Sequence, residues 1–238
     1  MRVDVLALQS FYAGPLGEVA RRMAGRRLYD AWGDVHGLDV LGYGYATPWL
    51  DPWRETARRV VALMPAAQGV ERWPRSGPNC ATIGDEDRLP FADAAFDRIV
   101  CVHALEEADA PRSLLRELWR VLSPEGRILI VTANRRGLWA RAEATPFGHG
   151  RPYSRQQLGG LMSDAMFQPV AWARALYAPP LSWKVFAGAA DAWESTGERV
   201  WPSFGGLLMV EAVKRLYAGS LPGQAARVLM AQPATARF

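Results

Sequence analysis

Cysteine is almost missing: Cys80 and Cys101 are the only two in 238 residues. They form no metal-spaced pair and no disulfide framework. Histidine is nearly as scarce, with His36, His103 and His149 alone, and nothing in the chain has metal-ligand spacing. No apolar run approaches the ~20 residues that a membrane-spanning helix needs. Asp4 and Gln9 interrupt the apolar stretch near the N-terminus. No small-residue cleavage site follows it, so it does not read as a secretory signal. These absences point to a cytoplasmic protein without a membrane span. No internal repeat and no low-complexity linker divides the chain.

Half of the residues are hydrophobic, enough to bury a core in one domain. The net charge is +4, with arginine far outnumbering lysine. So mild a balance permits an acidic partner such as RNA without favouring one. The densest basic cluster is Arg21, Arg22, Arg26 and Arg27, wrapped around one side of a helix, and it reads as a solvated face.

The pattern alternates between the two regular periods. Residues 15–31 read as a helix opened by Pro15, with Leu16, Val19, Ala20, Met23 and Leu28 apolar. Leu38 to Leu41 is strand-like and runs into GYGYATP. Thr47-Pro48 predicts a helix start with Thr47 as N-cap, and Pro52 limits that helix. Further strands are predicted at 60–64, 81–83, 99–102 and 127–132. An amphipathic helix spans 111–122, with Leu114, Leu115, Leu118, Trp119 and Leu122 inward. Ser154 and Gln157 predict a capping box on a helix over 155–165. The final strands, 172–176 and 207–213, are expected to pair antiparallel across an insertion, 178–204, that carries Trp183, Trp193 and Trp201. Strands alternating with helices imply an α/β, doubly wound, mostly parallel sheet ending in a C-terminal antiparallel strand. The expected organisation is one domain over 1–218, followed by a flexible tail over 219–238.

Four landmarks occur in order. GYGYA (42–46) follows the first strand. GDEDRLPFADAAFDRIVCVHALEEADAP covers the third and fourth strands. LLRELWRVLSPEGRILIV (114–131) is a leucine-rich helix, a Pro-x-Gly turn and a strand. A Tyr-Ser helix start stands at 153–154, with Ala-Met-Phe at 165–167. Together, over about residues 38–215, they resemble the class I S-adenosylmethionine-dependent methyltransferase family, of the type 11-like kind. The resemblance implies a Rossmann-like methyltransferase fold with S-adenosylmethionine as cofactor.

Ligands of open parallel sheets bind beyond the carboxyl ends of the strands, where strand order reverses. The resemblance places the cofactor over Gly42, Gly44 and Tyr45, with Asp85 and Glu86 after the third strand and His103 at the end of the fourth. Asp85 stands where the family's acid accepts from the adenine amino group. The glycines equally suit a tight strand-to-helix turn on any α/β fold. The candidate substrate loop is 144–154, where His149, Arg151 and Tyr153 sit among glycine and proline. No catalytic base is assigned. The Asn/Asp-Pro-Pro-Tyr/Phe motif of amino-group members is absent, and HALEEA (103–108) stands in its place.

The sequence departs from the family at two points. Ala46 replaces the third glycine of the loop. The second strand offers Ala62, Leu63, Met64 and Pro65, with none of the carboxylate that takes both ribose hydroxyls in the family. Asp39 stands one residue early for the acid of the first strand, and Val40 occupies the expected position. The leading expectation is a methyltransferase acting on a small molecule or a macromolecule. The alternative is a non-catalytic, methyltransferase-like protein that acts as a binding or regulatory partner. The tryptophans Trp139, Trp172, Trp183, Trp193 and Trp201 are expected to be mostly satellite core, with a partner surface or a bulky apolar substrate pocket as the sharper reading.

Overall fold

The computed structural model describes residues 2–180, 190–216 and 227–228. The chain opens with two helices, α1 (Val5–Ala13) and α2 (Pro15–Trp32). Five strands follow: β1 (Asp39–Gly44), β2 (Arg59–Pro65), β3 (Ala81–Gly84), β4 (Phe96–Val102) and β5 (Leu122–Ala133). The short α3 (Thr47–Leu50) follows β1, and α4 (Pro111–Val121) joins β4 to β5. Beyond them lie α5 (Arg155–Asp164), β6 (Phe167–Ala175), α6 (Ala190–Val200), β7 (Leu207–Lys214) and β8 (Arg227–Val228).

The strands form one sheet in the order β3-β2-β1-β4-β5-β7-β6-β8. β7 runs antiparallel to both β5 and β6, and the other pairings are parallel. The expected doubly wound sheet with a late antiparallel strand is borne out. Strand order reverses between β1 and β4, which places the switch point at the carboxyl ends of those two strands. The central strands are buried on both faces, so they read as continuous apolar runs rather than alternating ones.

Helix α4 shows how patterning sets one layer. Leu114, Leu115, Leu118 and Val121 are fully buried, each stabilising the packed layer by roughly 1.5–3 kcal/mol of transfer free energy. Its Arg120 bonds Glu117, Asp93 and the carbonyls of Leu89 and Phe91, tying down the loop between β3 and β4. On the opposite layer, Trp32, Trp49, Trp53, Trp73 and Trp139 are all buried. Trp172 is buried as well, whereas Trp201 is 54% exposed and Trp183 lies outside the described residues.

Several local expectations need correction. Thr47 is the first residue of α3 rather than its N-cap. Ala46 takes the cap position without a side-chain bond, and the Thr47 hydroxyl donates instead to Glu71. The α-helix ends at Leu50, and Pro52 falls in the first turn of a 3-10 helix over Asp51–Glu55. α1 was not foreseen, because its apolar residues are too evenly spread to show a helical stripe; Asp4 caps it by accepting from the Leu6 amide at 2.8 Å. β5 starts at Leu122, with Glu125 in the left-handed region (φ 58°) at the Pro-x-Gly turn. The capping box on α5 is present in both directions. Most of the proposed tail lies outside the described residues, though its 227–228 pair with β6.

Candidate functional site

The loop after β1 is shaped by the protein's own backbone. Gly44 has φ +76°, and a Cβ there would lie 2.2 Å from the Val102 carbonyl oxygen of β4. A Cβ on Gly42 would lie 2.5 Å from Leu50 Cδ1. Gly44 is therefore required by its φ and by the approach of the β4 backbone, whereas a side chain at Gly42 would have to displace the buried Leu50 under α3. The next residue, Tyr45, is buried, and its amide donates to Val102 O at 2.9 Å.

At the end of β4, His103 takes a left-handed φ of +49°, a strained setting for a non-glycine residue. Its Nε2 meets the Tyr12 hydroxyl at 2.6 Å, and its carbonyl accepts from Gln68 Nε2 at 3.1 Å. Burial pushes the imidazole down to about 3, so it stays neutral. Tyr12 also stacks on Tyr45, with centroids 5.7 Å and planes 19° apart, while burial holds its phenol protonated. Thus α1 roofs the switch point. The roof continues toward the N-terminus: the Val3 amide donates to Glu107 Oε2 at 2.9 Å, and Arg2 pairs with Glu86.

Under this roof the polar groups are not all satisfied. Buried atoms without a partner include Arg2 Nη1, Tyr43 OH, Gln68 Oε1, His103 Nδ1, both Glu106 carboxyl oxygens and Glu107 Oε1. They make up more than half of such atoms among the described residues, and all lie around the carboxyl ends of β1, β2 and β4. Native proteins rarely leave so many buried polar groups unmatched in one place. Glu106 is the extreme case: it is 2% exposed, and burial raises its carboxyl to about 8. Its charge is felt by Tyr12, Cys101 and Tyr153, which surround it.

Beside the roof lies a cavity of about 790 Å³, lined by Gln9, Tyr12, Tyr45, Thr47, Glu71 and Trp73 among others. Glu71 places a carboxylate in this cavity, whereas the end of β2 offers none. After β2, the turn Ala66–Gln68 and Gly69 (φ +84°) fold the chain back, bringing Glu71 opposite Thr47. Gln9 Nε2 also donates to it, at 2.5 Å. Asp85 is exposed and forms an isolated bridge with Arg88. Of the substrate-loop residues, Tyr153 is buried, with its hydroxyl donating to Leu105 O at 3.3 Å. Arg151 is exposed, but its amide donates to Glu106 O at 2.7 Å. His149 is exposed and bonds Glu143 O at 3.1 Å, outside both this cavity and a second one around Tyr153.

Residues 38–130 match the family model described as a methyltransferase domain. Over those residues the chain is similar to a methyltransferase domain. A malonyl-[acyl-carrier protein] O-methyltransferase of Erwinia pyrifoliae is 33% identical over 114 residues, 47% of this chain and 44% of the relative. A demethylmenaquinone methyltransferase of Renibacterium salmoninarum is 32% identical over 107 residues, 44% of this chain and 45% of the relative. The chain thus spans less than half the length of these curated relatives in the matched region. A methyltransferase of Haloferax volcanii, solved in complex with the Trm112 methyltransferase activator, superposes with a TM-score of 0.64 at 18% identity. That match covers 88% of this chain and 97% of the other, and it shows a shared fold. Among the described residues, no group of three or more His, Cys, Asp or Glu is placed to hold a metal ion. No described helix is long and apolar enough to cross a membrane.

The residues at the strand ends fit the cofactor of the methyltransferase family. The orphaned polar atoms need hydrogen-bond partners, and Glu71 offers a carboxylate to a pair of hydroxyls. Sequence reasoning missed Glu71 and Glu106. Glu71 escaped because the family's acid belongs to the strand, not to a loop beyond it. Glu106 escaped because nothing in HALEEA distinguishes a buried glutamate from an exposed one.

Proposed function

We propose that this chain transfers a methyl group from S-adenosylmethionine to an acceptor bound against the 144–154 loop. The observation that carries this reading is the concentration of unpartnered buried polar atoms at the β1/β4 switch point. The cofactor-contacting residues would be Tyr45 on the β1 loop, Glu71 for the ribose hydroxyls, Asp85 and Glu86 beyond β3, and His103 after β4. Gly42 and Gly44 shape the loop that presents Tyr45. Bound there, S-adenosylmethionine supplies an electrophilic sulfonium methyl. The chain positions the two reactants, excludes water beneath α1, and takes up the acceptor's proton. Glu106 suits that last role. A carboxyl held at about 8 is ionised in about one molecule in ten at pH 7, and it is basic enough to take a proton from a hydroxyl acceptor. Tyr153 and Arg151 stand on the acceptor side. Two relatives carry malonyl-[acyl-carrier protein] and demethylmenaquinone in their names, which are two acceptor chemistries to try first.

A second reading keeps the fold as a binding module. It is favoured by β2 ending in Leu63, Met64 and Pro65 without a carboxylate, and by Tyr12 seated on Tyr45 and His103. Calorimetric titration with S-adenosylmethionine and S-adenosylhomocysteine separates the two. Micromolar binding that weakens about tenfold in Glu71→Gln, as expected for a lost charge-assisted hydrogen bond, supports the enzyme. Asp85→Ala should weaken binding with little change in thermal stability. No heat at millimolar ligand makes the binding module the better account.

A further inference from the structure

The second cavity, about 720 Å³, opens at the carboxyl end of β5 and the start of α5. Arg112, Arg135, Arg151, Tyr153, Gln156 and Gln157 are among its lining residues. Its charge is one-sided. The lining carboxylate, Asp164, already pairs with Arg112 at 3.2 Å. Arg135 and Arg151 have no ion-pair or side-chain hydrogen-bond partner among the described residues. Arg136 and Arg155 adjoin the lining residues Arg135 and Gln156 in the chain; burial lowers the Arg174 guanidinium, and the nearby charges of Arg155 and Arg136 lower it further. Arg174 Nε is also buried without a partner.

We infer that this cavity binds an oxyanion, a phosphate or a carboxylate, carried by the methyl acceptor. Planar guanidinium forks match both groups in pairs of parallel hydrogen bonds, and the two glutamine amides add neutral donors. The cavity's position gives the anion a purpose. Tyr153 forms part of its wall while the tyrosine hydroxyl reaches inward to Leu105 O. Arg151 holds the Glu106 carbonyl through its own amide. An anionic group seated on Arg135 and Arg151 therefore sits next to the element that carries the buried Glu106 carboxyl, so it can anchor an acceptor whose reacting atom faces that carboxyl. The assignment of the anion to the acceptor rests on the methyl-transfer reading; the anion site itself does not.

The test is a calorimetric titration of the intact chain with pyrophosphate and, separately, with citrate, in the absence of S-adenosylmethionine. Saturable one-site binding is expected, weakening about tenfold or more in the Arg135→Gln, Arg151→Gln double variant and falling with added salt. The Arg116→Gln variant, an exposed arginine on α4, should bind as the parent does. Tighter binding of pyrophosphate names a phosphate as the natural group, and tighter binding of citrate a carboxylate. Equal binding by the double variant, or no saturable binding of either anion, overturns the proposal. Circular dichroism and the melting temperature of the double variant verify folding; both arginines are exposed, so neither measure should move. Failure of the cofactor titration leaves this result standing, and an unchanged cofactor affinity in the double variant keeps the two sites distinct.

Discussion

Glu106→Gln should stabilise the protein at neutral pH, and the gain should vanish in acid. The side chain is buried with neither oxygen partnered, and burial lifts its carboxyl from 4.5 to about 8. Between those values the folded chain keeps a proton that the unfolded chain releases, so stability falls as pH rises. Each pH unit costs about 1.4 kcal/mol. The loss is about 3 kcal/mol at pH 7 and about 4 kcal/mol at pH 8, levelling off near about 5 kcal/mol above that. Glutamine copies the protonated carboxyl and cannot ionise, so it removes this loss, less whatever its extra donors cost when unmatched. For a chain of this size the gain corresponds to about 6–12 °C in melting temperature at pH 7. Urea unfolding of both proteins at several pH values between about 4.5 and 8 reads the difference directly. The two curves should converge near pH 4.5 and diverge toward pH 8. A gap that stays constant with pH, or a variant that is weaker at pH 8 than at 4.5 relative to the parent, would refute the reasoning.

Other consequences follow from the same cluster. His103 stays neutral down to about pH 3 when folded, whereas an unfolded histidine protonates near 6.5, so stability should fall as pH drops through that interval. His103→Asn keeps a residue tolerant of positive φ and should flatten this acid limb in the same urea series; an unchanged limb would place its origin elsewhere. Gly44→Ala adds roughly 1–2 kcal/mol of backbone strain and a Cβ 2.2 Å from Val102 O. It should cost several kcal/mol in all or abolish soluble expression. A fully stable Gly44→Ala protein would show that β1 and β4 are not so closely apposed.

The periodicities were sufficient for the architecture. Continuous apolar runs marked the central strands because both faces of a parallel sheet are buried. The stripe on α4 and the Ser154/Gln157 box are local signals, and they keep their meaning in any fold that uses them. The antiparallel pairing of β6 with β7 was legible as well, because an antiparallel pair tolerates a long connection as readily as a short one.

The site was legible only where it is made of consecutive residues. GYGYA marks the β1 loop on sight, but the reason for its glycines, a β4 carbonyl 2.2 Å from where a Cβ would stand, belongs to strands far apart in sequence. Helix α1 has no stripe to announce it, because it packs at once against α2, the His103 end of β4 and Phe147, which lie far apart in the chain. Glu71 and Glu106 were invisible for the same reason. A glutamate's chemistry depends on its burial and partners, which the folded chain decides when it turns back at Gly69 and bonds the 149–153 loop to Glu106 and to the end of β5. Sequence alone determined the alternation of strands and helices, since that follows from local periodicity, whereas the strand order that sets the switch point came with the folded sheet. Only the tertiary structure decided which carboxylates meet there and which of them stays protonated, since solvation and proximity are properties of the packed whole.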